Sequence, residues 1–595
     1  MDTMTNSRRP AFLCVLVLLV CALATYPVAE IGMNDDWSYV TTTRILVQTG
    51  HIVYIGWAAA MLGWQLYLGA LFARLFGPSF TAIRASTLLI ALITTFLTHR
   101  TFVRAGINSR NATIGTFCLV LSPLFLPLAL CFMTDMGGLF CIILVLYACL
   151  RALQAQSDRG VLAWLIFAAL SNVIGGTIRQ VAWLGVLVIF PCVVWLLRRR
   201  PHVVLVGALL YFISIVFVFA SLHWFTQQPF SVSGPPIEGI PDLRQLKDIV
   251  FELSTLFLSF GLFLLPVLIA FVPATSFRNR RTTVSLAVVG VLCIAVAVAV
   301  ALYQPDGLRY ILAPFRGNYV TQVGLMESFE IKGKQQNVLP TGLRLFITFA
   351  VLFALFCSIN SIITGRRSTS LAPAQSPIYP PVFWNILLVL LVPFVLAYLV
   401  LLLPLALSGH CFDRYLLPLL PIALILVLRL YQERVQPNLP KISIALVLLF
   451  AAYAVAGTHD AFSRYRARQE AVTELRDAGI SDASIDAGFE HNAMTQVQSA
   501  GHIANPKNPW SATDKLTPPG HFPNNCRPDQ GFLTPVLVPG YALSYDPNSC
   551  GGLSRFALVT YNEWLIARTV SIYIVNTVKQ EPSVASVPAT MGDIH

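Results

Sequence analysis

The chain has 595 residues, with 40 Lys and Arg against 28 Asp and Glu for a formal net charge of +12; 56% of its residues are hydrophobic and only 11% are charged. Soluble domains carry about 25% charged residues, so a chain this long and this poor in charge excludes a soluble enzyme, a disordered protein and a nucleic-acid binder. The positive surplus is then read against a membrane, where Lys and Arg mark cytoplasmic loops, and function is to be sought in the few charges that remain.

Apolar runs approaching or exceeding the roughly 20 residues that a helix needs to cross a bilayer core recur from residue 11 to residue 457. They predict an all-α polytopic membrane protein with thirteen spans, at 11–29, 80–98, 112–132, 136–150, 161–177, 181–197, 203–222, 252–274, 283–303, 342–363, 382–407, 416–430 and 441–457. The first run, preceded by Arg8 and Arg9, reads as a retained anchor rather than a cleaved signal. The stretch 58–76 is also apolar, but it carries Gln65 and Arg74 and has tryptophans at 57 and 64, which suits an interfacial helix. Leaving it out of the membrane puts Arg100/Arg104/Arg110, Arg151/Arg159, Arg198/Arg199/Arg200, Arg278/Arg280/Arg281, Arg366/Arg367 and Arg434/Lys441 on the side of Arg8 and Arg9, as the positive-inside rule requires.

That topology defines a transmembrane domain over 1–457, with a first outer loop at 30–79, and an outer soluble domain over 458–595. The tail has ordinary polarity and predicts a mixed α/β module, with helices at 460–477 and 491–499 and strands at 483–487, 554–561 and 569–577. Cys526 and Cys550 lie together in a polar segment of it and form a candidate disulfide if that side is oxidising. Most other cysteines sit in apolar runs, where Cys behaves as a small hydrophobe.

A few charges of the outer loops stand directly against apolar spans. The first loop opens with Asp35 and Asp36, beside Trp37 and Tyr39; paired carboxylates at a membrane surface suit a general base, and equally a helix N-terminus. Asp135 is the sole charge in a very short loop between two apolar spans, an expensive position that either serves the chemistry or caps the following helix. Arg179, beside Gln180 at the end of the fifth span, either forks onto phosphate oxygens or snorkels. His410, Asp413, Arg414 and Tyr415 crowd another short outer loop, where a salt bridge through Asp413 competes with a phosphate contact. Loop 304–341 adds Asp306, Arg309, Arg316 and tyrosines, read first as a solvated surface.

In this order and on one side of the membrane, these residues resemble the membrane glycosyltransferases of the C-type (GT-C) fold, in particular the bacterial protein O-mannosyltransferase and lipid A aminoarabinose transferase group. That family opens its first outer loop with Asp-Glu-x-x-Tyr, here Asp35-Asp36-Trp37-Ser38-Tyr39 with Asp36 in place of Glu, and follows it with juxtamembrane helices, matched by 36–49 and 58–76. Thr134-Asp135-Met136, Arg179, and Arg414-Tyr415 with Pro418 match its later motifs.

The resemblance implies an inverting transfer of a sugar from a polyprenyl-phosphate donor to an acceptor hydroxyl, with Asp35 as general base and Asp36 and Asp135 as further catalytic residues. Arg179, Arg414 and Tyr415 would hold the donor phosphate, and Tyr39, Gln180 and His410 the substrates. Metal use varies in the family; Asp35, Asp36 and Asp135 are the candidate ligands if a divalent cation takes part, since Asp suits hard ions. The implied partners are a lipid-linked sugar and a lipid, glycan or protein acceptor. The implied location is the inner membrane, multi-pass, with a cytoplasmic N-terminus and an extracytoplasmic C-terminal domain. The rival class is a transporter or flippase of a lipid-linked sugar, for which ionisable groups at the bilayer midplane and two related halves are expected; neither is evident.

Overall fold

The structure, a computed structural model, describes residues 8–232, 242–273, 290, 308–315, 317–326, 331–364, 382–409, 411–503 and 526–578. Within these residues every predicted span has a helix; the span at 283–303, together with His410, Asp306 and Arg316, lies outside the described residues. Among the described residues, eight helices are long and apolar enough to cross a membrane: Phe80–Arg104, Thr134–Gln154, Asp158–Gly175, Pro201–Thr226, Gln245–Phe271, Thr341–Ser361, Trp384–Leu407 and Lys441–Asp477. Arg9–Ala24 and Gln180–Leu196 are shorter apolar helices. The expected span 112–132 is broken into Ser109–Val120 and Phe125–Ala129. Pro123 lacks an N–H, and the Ser122 hydroxyl instead accepts from Phe125 N at the break.

Local chemistry sets the ends of several helices. Ser79, Asn108 and Ser157 each cap a helix through the side-chain oxygen, satisfying an N–H the helix leaves unpaired. The stretch 58–76 yields only the 14-residue helix Gly63–Phe76, which packs beside the equally short Asp36–Thr49. At about 1.5 Å per residue, neither approaches the ~30 Å of a bilayer core.

The bundle has two chemically different ends. Phe80–Arg104 begins beside Asp36, paired through Arg84, and finishes at Arg104, bonded to Gln154 at the last residue of Thr134–Gln154. Asp158, opening the next helix, pairs with Arg200. One end thus holds Arg104, Arg151 and Arg200, and the other holds Asp35, Asp36, Asp135, Arg179 and Arg414.

The separate helix expected at 460–477 needs correction, because Lys441–Asp477 is one unbroken helix of 37 residues that runs across the expected boundary at 457. The apolar run ends there, but the polar residues that follow contain no Pro and continue the helix. Its length of about 55 Å carries it well beyond the apolar core. Ala467, Ala471 and Leu475 on its outer half pack against Ile485, Leu543 and Ile572 of a four-stranded sheet. The strands are β3 (Ile485–Asp486), β4 (Tyr541–Ser544), β5 (Val559–Glu563) and β6 (Arg568–Asn576), in the order β3-β4-β6-β5, with β3 and β4 parallel and the other pairs antiparallel. A two-stranded hairpin from the membrane portion, β1 (Val320–Thr321) and β2 (Gly324–Leu325), lies against the same helix. The helix Phe489–Ala500 completes the outer layer. Strands are observed near all three expected positions, and β4 was not anticipated. Cys526 and Cys550 form a disulfide with a Cα–Cα distance of 5.1 Å.

Candidate active site

Asp35 stands at the N-cap position of Asp36–Thr49 but makes no capping hydrogen bond. Its carboxylate instead accepts from Trp57 Nε1 at 2.9 Å and from Arg414 Nη2 at 3.1 Å. Arg414 also donates to Asn34 Oδ1 at 3.1 Å, and Asp35 N donates to the same oxygen at 2.9 Å. Asn34 has a left-handed backbone, φ 53°, which Asn tolerates better than most residues. Asp35 keeps 20% of its side-chain surface exposed.

Asp36 has the opposite surroundings. It is fully buried, and Arg84 grips both its oxygens, Nε at 2.7 Å and Nη2 at 3.1 Å. The remaining guanidinium nitrogen of Arg84 donates to Ala29 O, while Met33 N donates to Asp36. The repulsion expected between the adjacent acids is thus met by one guanidinium for each.

The second acid–arginine pair of the site is Asp135 with Arg179. Capping does not account for Asp135, because Met133 occupies the N-cap position of its helix. One Asp135 oxygen takes Arg179 Nη1, and the other is buried without a hydrogen-bond partner among the described residues. Gly137 permits the approach: a Cβ there would lie 2.1 Å from Ile178 Cδ1, so the chain at 178–179 packs directly on the acid's helix. Beyond Arg179 the backbone runs through a 3₁₀ turn, Gln180–Trp183, and a π turn, Gly185–Ile189. Such irregular turns free backbone groups, and Asn172 satisfies two of them, donating to Ala182 O and accepting from Val186 N.

Tyr415 joins the two pairs. Its ring lies 5.1 Å from the Arg179 guanidinium carbon and 5.6 Å from that of Arg414, within cation–π range. Tyr398 Oη fixes it by donating to Tyr415 O at 2.7 Å. Tyr39 is buried among all four charges. Burial pushes its phenol well above the usual range and Asp35 adds to that, with Arg414 and Arg179 opposing, so Tyr39 is a neutral hydroxyl. Asp413 belongs to the scaffold: its carboxylate accepts from the backbone N–H groups of Asn318, Tyr319, Val320 and Arg414. Burial raises its pKa, and those hydrogen bonds hold it back.

Of the residues singled out in the sequence, Asp35, Asp135, Arg179, Arg414, Tyr415 and Tyr39 are brought together. Asp36 is turned into the Arg84 pocket, and Gln180 is spent on Ala59 O at 3.1 Å. The three acids do not converge as ligands, and among the described residues no group of three or more His, Cys, Asp or Glu could hold a metal ion. Sequence reading missed Asn34 and Arg84 as parts of the site. Arg84 left one signal, a charge one turn inside a span. Trp57 was noted only for interfacial composition.

Residues 61–224 match the family model described as dolichyl-phosphate-mannose-protein mannosyltransferase. This segment holds Arg84, Asp135 and Arg179 and leaves out Asp35 and Arg414. The chain is a membrane protein that resembles the GT-C glycosyltransferases. Among solved structures it is similar to ArnT from Cupriavidus metallidurans in the apo state, at 14% identity over 96% of this chain and 98% of that one, TM-score 0.36. For the same protein bound to undecaprenyl phosphate the values are 13%, 95%, 98% and 0.38. The archaeal oligosaccharyltransferase AglB from Archaeoglobus fulgidus, in complex with an inhibitory peptide and a dolichol-phosphate, matches at 15% identity over 78% of this chain and 58% of that one, TM-score 0.36. No curated protein matches the chain.

Proposed function

We propose that the chain is a glycosyltransferase that moves a sugar from a polyprenyl phosphate to an acceptor hydroxyl at the extracytoplasmic face, with inversion and with Asp35 as general base. The observation that carries this reading is the difference in access among the three acids. Side-chain exposure is 20% for Asp35, 0% for Asp36 and 3% for Asp135. The family description for residues 61–224 supports the polyprenyl-phosphate donor.

In the proposed step the acceptor oxygen attacks the anomeric carbon while the bond from that carbon to the phosphate oxygen breaks. The hydroxyl proton passes to Asp35, and the lipid phosphate departs with the bonding electron pair. Arg414 and Arg179 stabilise the departing phosphate, since guanidinium forks suit its oxygens. Trp57 holds one oxygen of Asp35 and leaves the carboxylate oriented. The unpartnered oxygen of Asp135 is the acceptor for a substrate hydroxyl. Each acid is already paired with its own arginine, so in the proposed step the arginines meet the phosphate charge.

Asp35→Asn tests the base directly: the variant inserts normally, and membranes of a deletion strain expressing it fail to form the glycan product that the wild-type chain restores. Retained turnover removes Asp35 from the role. The sidedness is tested at Ser109, an exposed residue at the basic end. Ser109→Cys resists a membrane-impermeant thiol reagent in intact cells; ready labelling would place the acids on the cytoplasmic side.

A further inference from the structure

The segment leading from the first helix to Asp35 is held by the outer layer of the molecule. Arg466 donates to Tyr26 O at 2.8 Å and Val28 O at 3.2 Å, and Glu30 N donates to Gln469 Oε1 at 2.8 Å. Asn34 N, one residue before the candidate base, donates to Glu490 Oε1 at 3.2 Å. Glu490 is itself buried and paired with Arg468 at 3.0 Å. The approach is close enough to need a glycine: a Cβ on Gly32 would lie 2.5 Å from Trp37 Cβ and 3.1 Å from Glu490 Cβ.

The other face of Asp35 is set from the same helix. Trp57, which donates to Asp35, has its ring 4.9 Å from that of Phe489, and Phe489 stands edge-on to Trp37 at 6.0 Å. Ile503 N donates to Ile55 O at 3.1 Å and closes this cluster. Thus two adjacent residues of Phe489–Ala500 touch the two neighbours of Asp35 that orient it, one through the backbone of Asn34 and the other through the indole of Trp57.

We propose that Phe489 and Glu490 are positioning residues for Asp35, so that the outer α/β layer completes the active site. This rests on Asp35 acting as the base. A base held to a fraction of an ångström loses rate steeply when its support is loosened, whereas of the two proposed phosphate contacts only Arg414 shares Asn34 with Asp35, and Arg179 is held by its own pair with Asp135.

The test uses the full-length protein, supplied with graded amounts of membrane extract from a deletion strain, which provides the native donor and acceptor. Rates are taken per molecule of folded protein. Arg468→Met removes the charge that a Glu490 variant would orphan, and two changes are compared in that background. With Glu490→Ala, kcat falls roughly ten- to a hundredfold and KM for the extract changes by much less than kcat does, because Asn34 N loses its acceptor. With Glu490→Gln, which keeps an amide oxygen there, kcat stays close to that of Arg468→Met alone.

Phe489→Leu, made in the wild-type chain with the ion pair intact, lowers kcat in the same direction and covers the case in which the double variants fail to fold. Equal kcat for the Ala and Gln variants, a loss confined to the amount of folded protein, or an unchanged kcat for Phe489→Leu overturns the inference. Asp35→Asn is run alongside. If it is inactive while these variants turn over normally, only the positioning role falls; if it is active, the base reading falls with it.

Discussion

Asp35 and Asp36 are neighbours in the chain, each paired with an arginine, and they occupy opposite kinds of surroundings. Asp36 and Arg84 exclude solvent, and the pair is tied to the protein's own frame at Ala29, Ile31, Met33, Phe80, Cys131 and Phe132. Asp35 and Arg414 meet at an opening, with the arginine arriving from a segment 379 residues away. A charge pair saturated by its own fold fixes a loop, while one with spare surface can exchange partners with a substrate. The first pair is the footing on which the second is aimed.

Substitutions that pull the two pairs apart give effects of different kinds. Asp35→Asn has the largest effect on rate: removing a general base costs roughly 10²- to 10⁴-fold, with unfolding of the purified protein unchanged. Asp36→Ala reverses the pattern. It leaves Arg84 buried and unpaired, which costs about 3–5 kcal/mol of stability, read as a lower midpoint in thermal unfolding in detergent. A stable Asp36→Ala protein that is dead in turnover would merge the two roles and dissolve the contrast. Arg414→Lys retains the charge but loses the fork that reaches both Asn34 and Asp35, so turnover falls about tenfold, equivalent to ~1.4 kcal/mol. Gln180→Ala gives the smallest change, within about 0.5 kcal/mol in stability, and leaves turnover near wild type, since its side chain makes an exposed hydrogen bond to Ala59 O.

The helical bundle was legible because apolar runs of sufficient length leave a chain few options in a bilayer. Reading the boundaries was harder where hydropathy and helicity part company. The helix continues past Gly457 although the apolar run stops, and Pro123 breaks a run that hydropathy alone treats as continuous. In the site, Asp135 and Arg179 stood out because isolated charges are conspicuous in apolar sequence, and Arg414 because it lies in a short charged loop between apolar runs. Arg84 was equally isolated, but a single Arg near the end of a span also suits snorkelling, and nothing local points to Asp36. Glu490 could not be read at all: it lies 456 residues from Asn34 in a segment of ordinary polarity, where an acid on a helix attracts no notice. Local pattern thus identified the groups that pay for burial, and the supports assembled by long-range folding stayed hidden.

The unbroken helix Lys441–Asp477 acts as a mast stepped in the bilayer. Its lower part is gripped by lipid and neighbouring helices, and its upper part carries Arg466 and Arg468, to which the strand before Asp35 and the support at Glu490 are lashed. With no hinge between the two, the mast responds to bilayer thickness as a rigid body, by tilting or by deforming the lipid around it. On the proposed function, the elevation of the reaction centre above the hydrocarbon is therefore referenced to the membrane itself, and a lipid-borne substrate would be measured against the same datum.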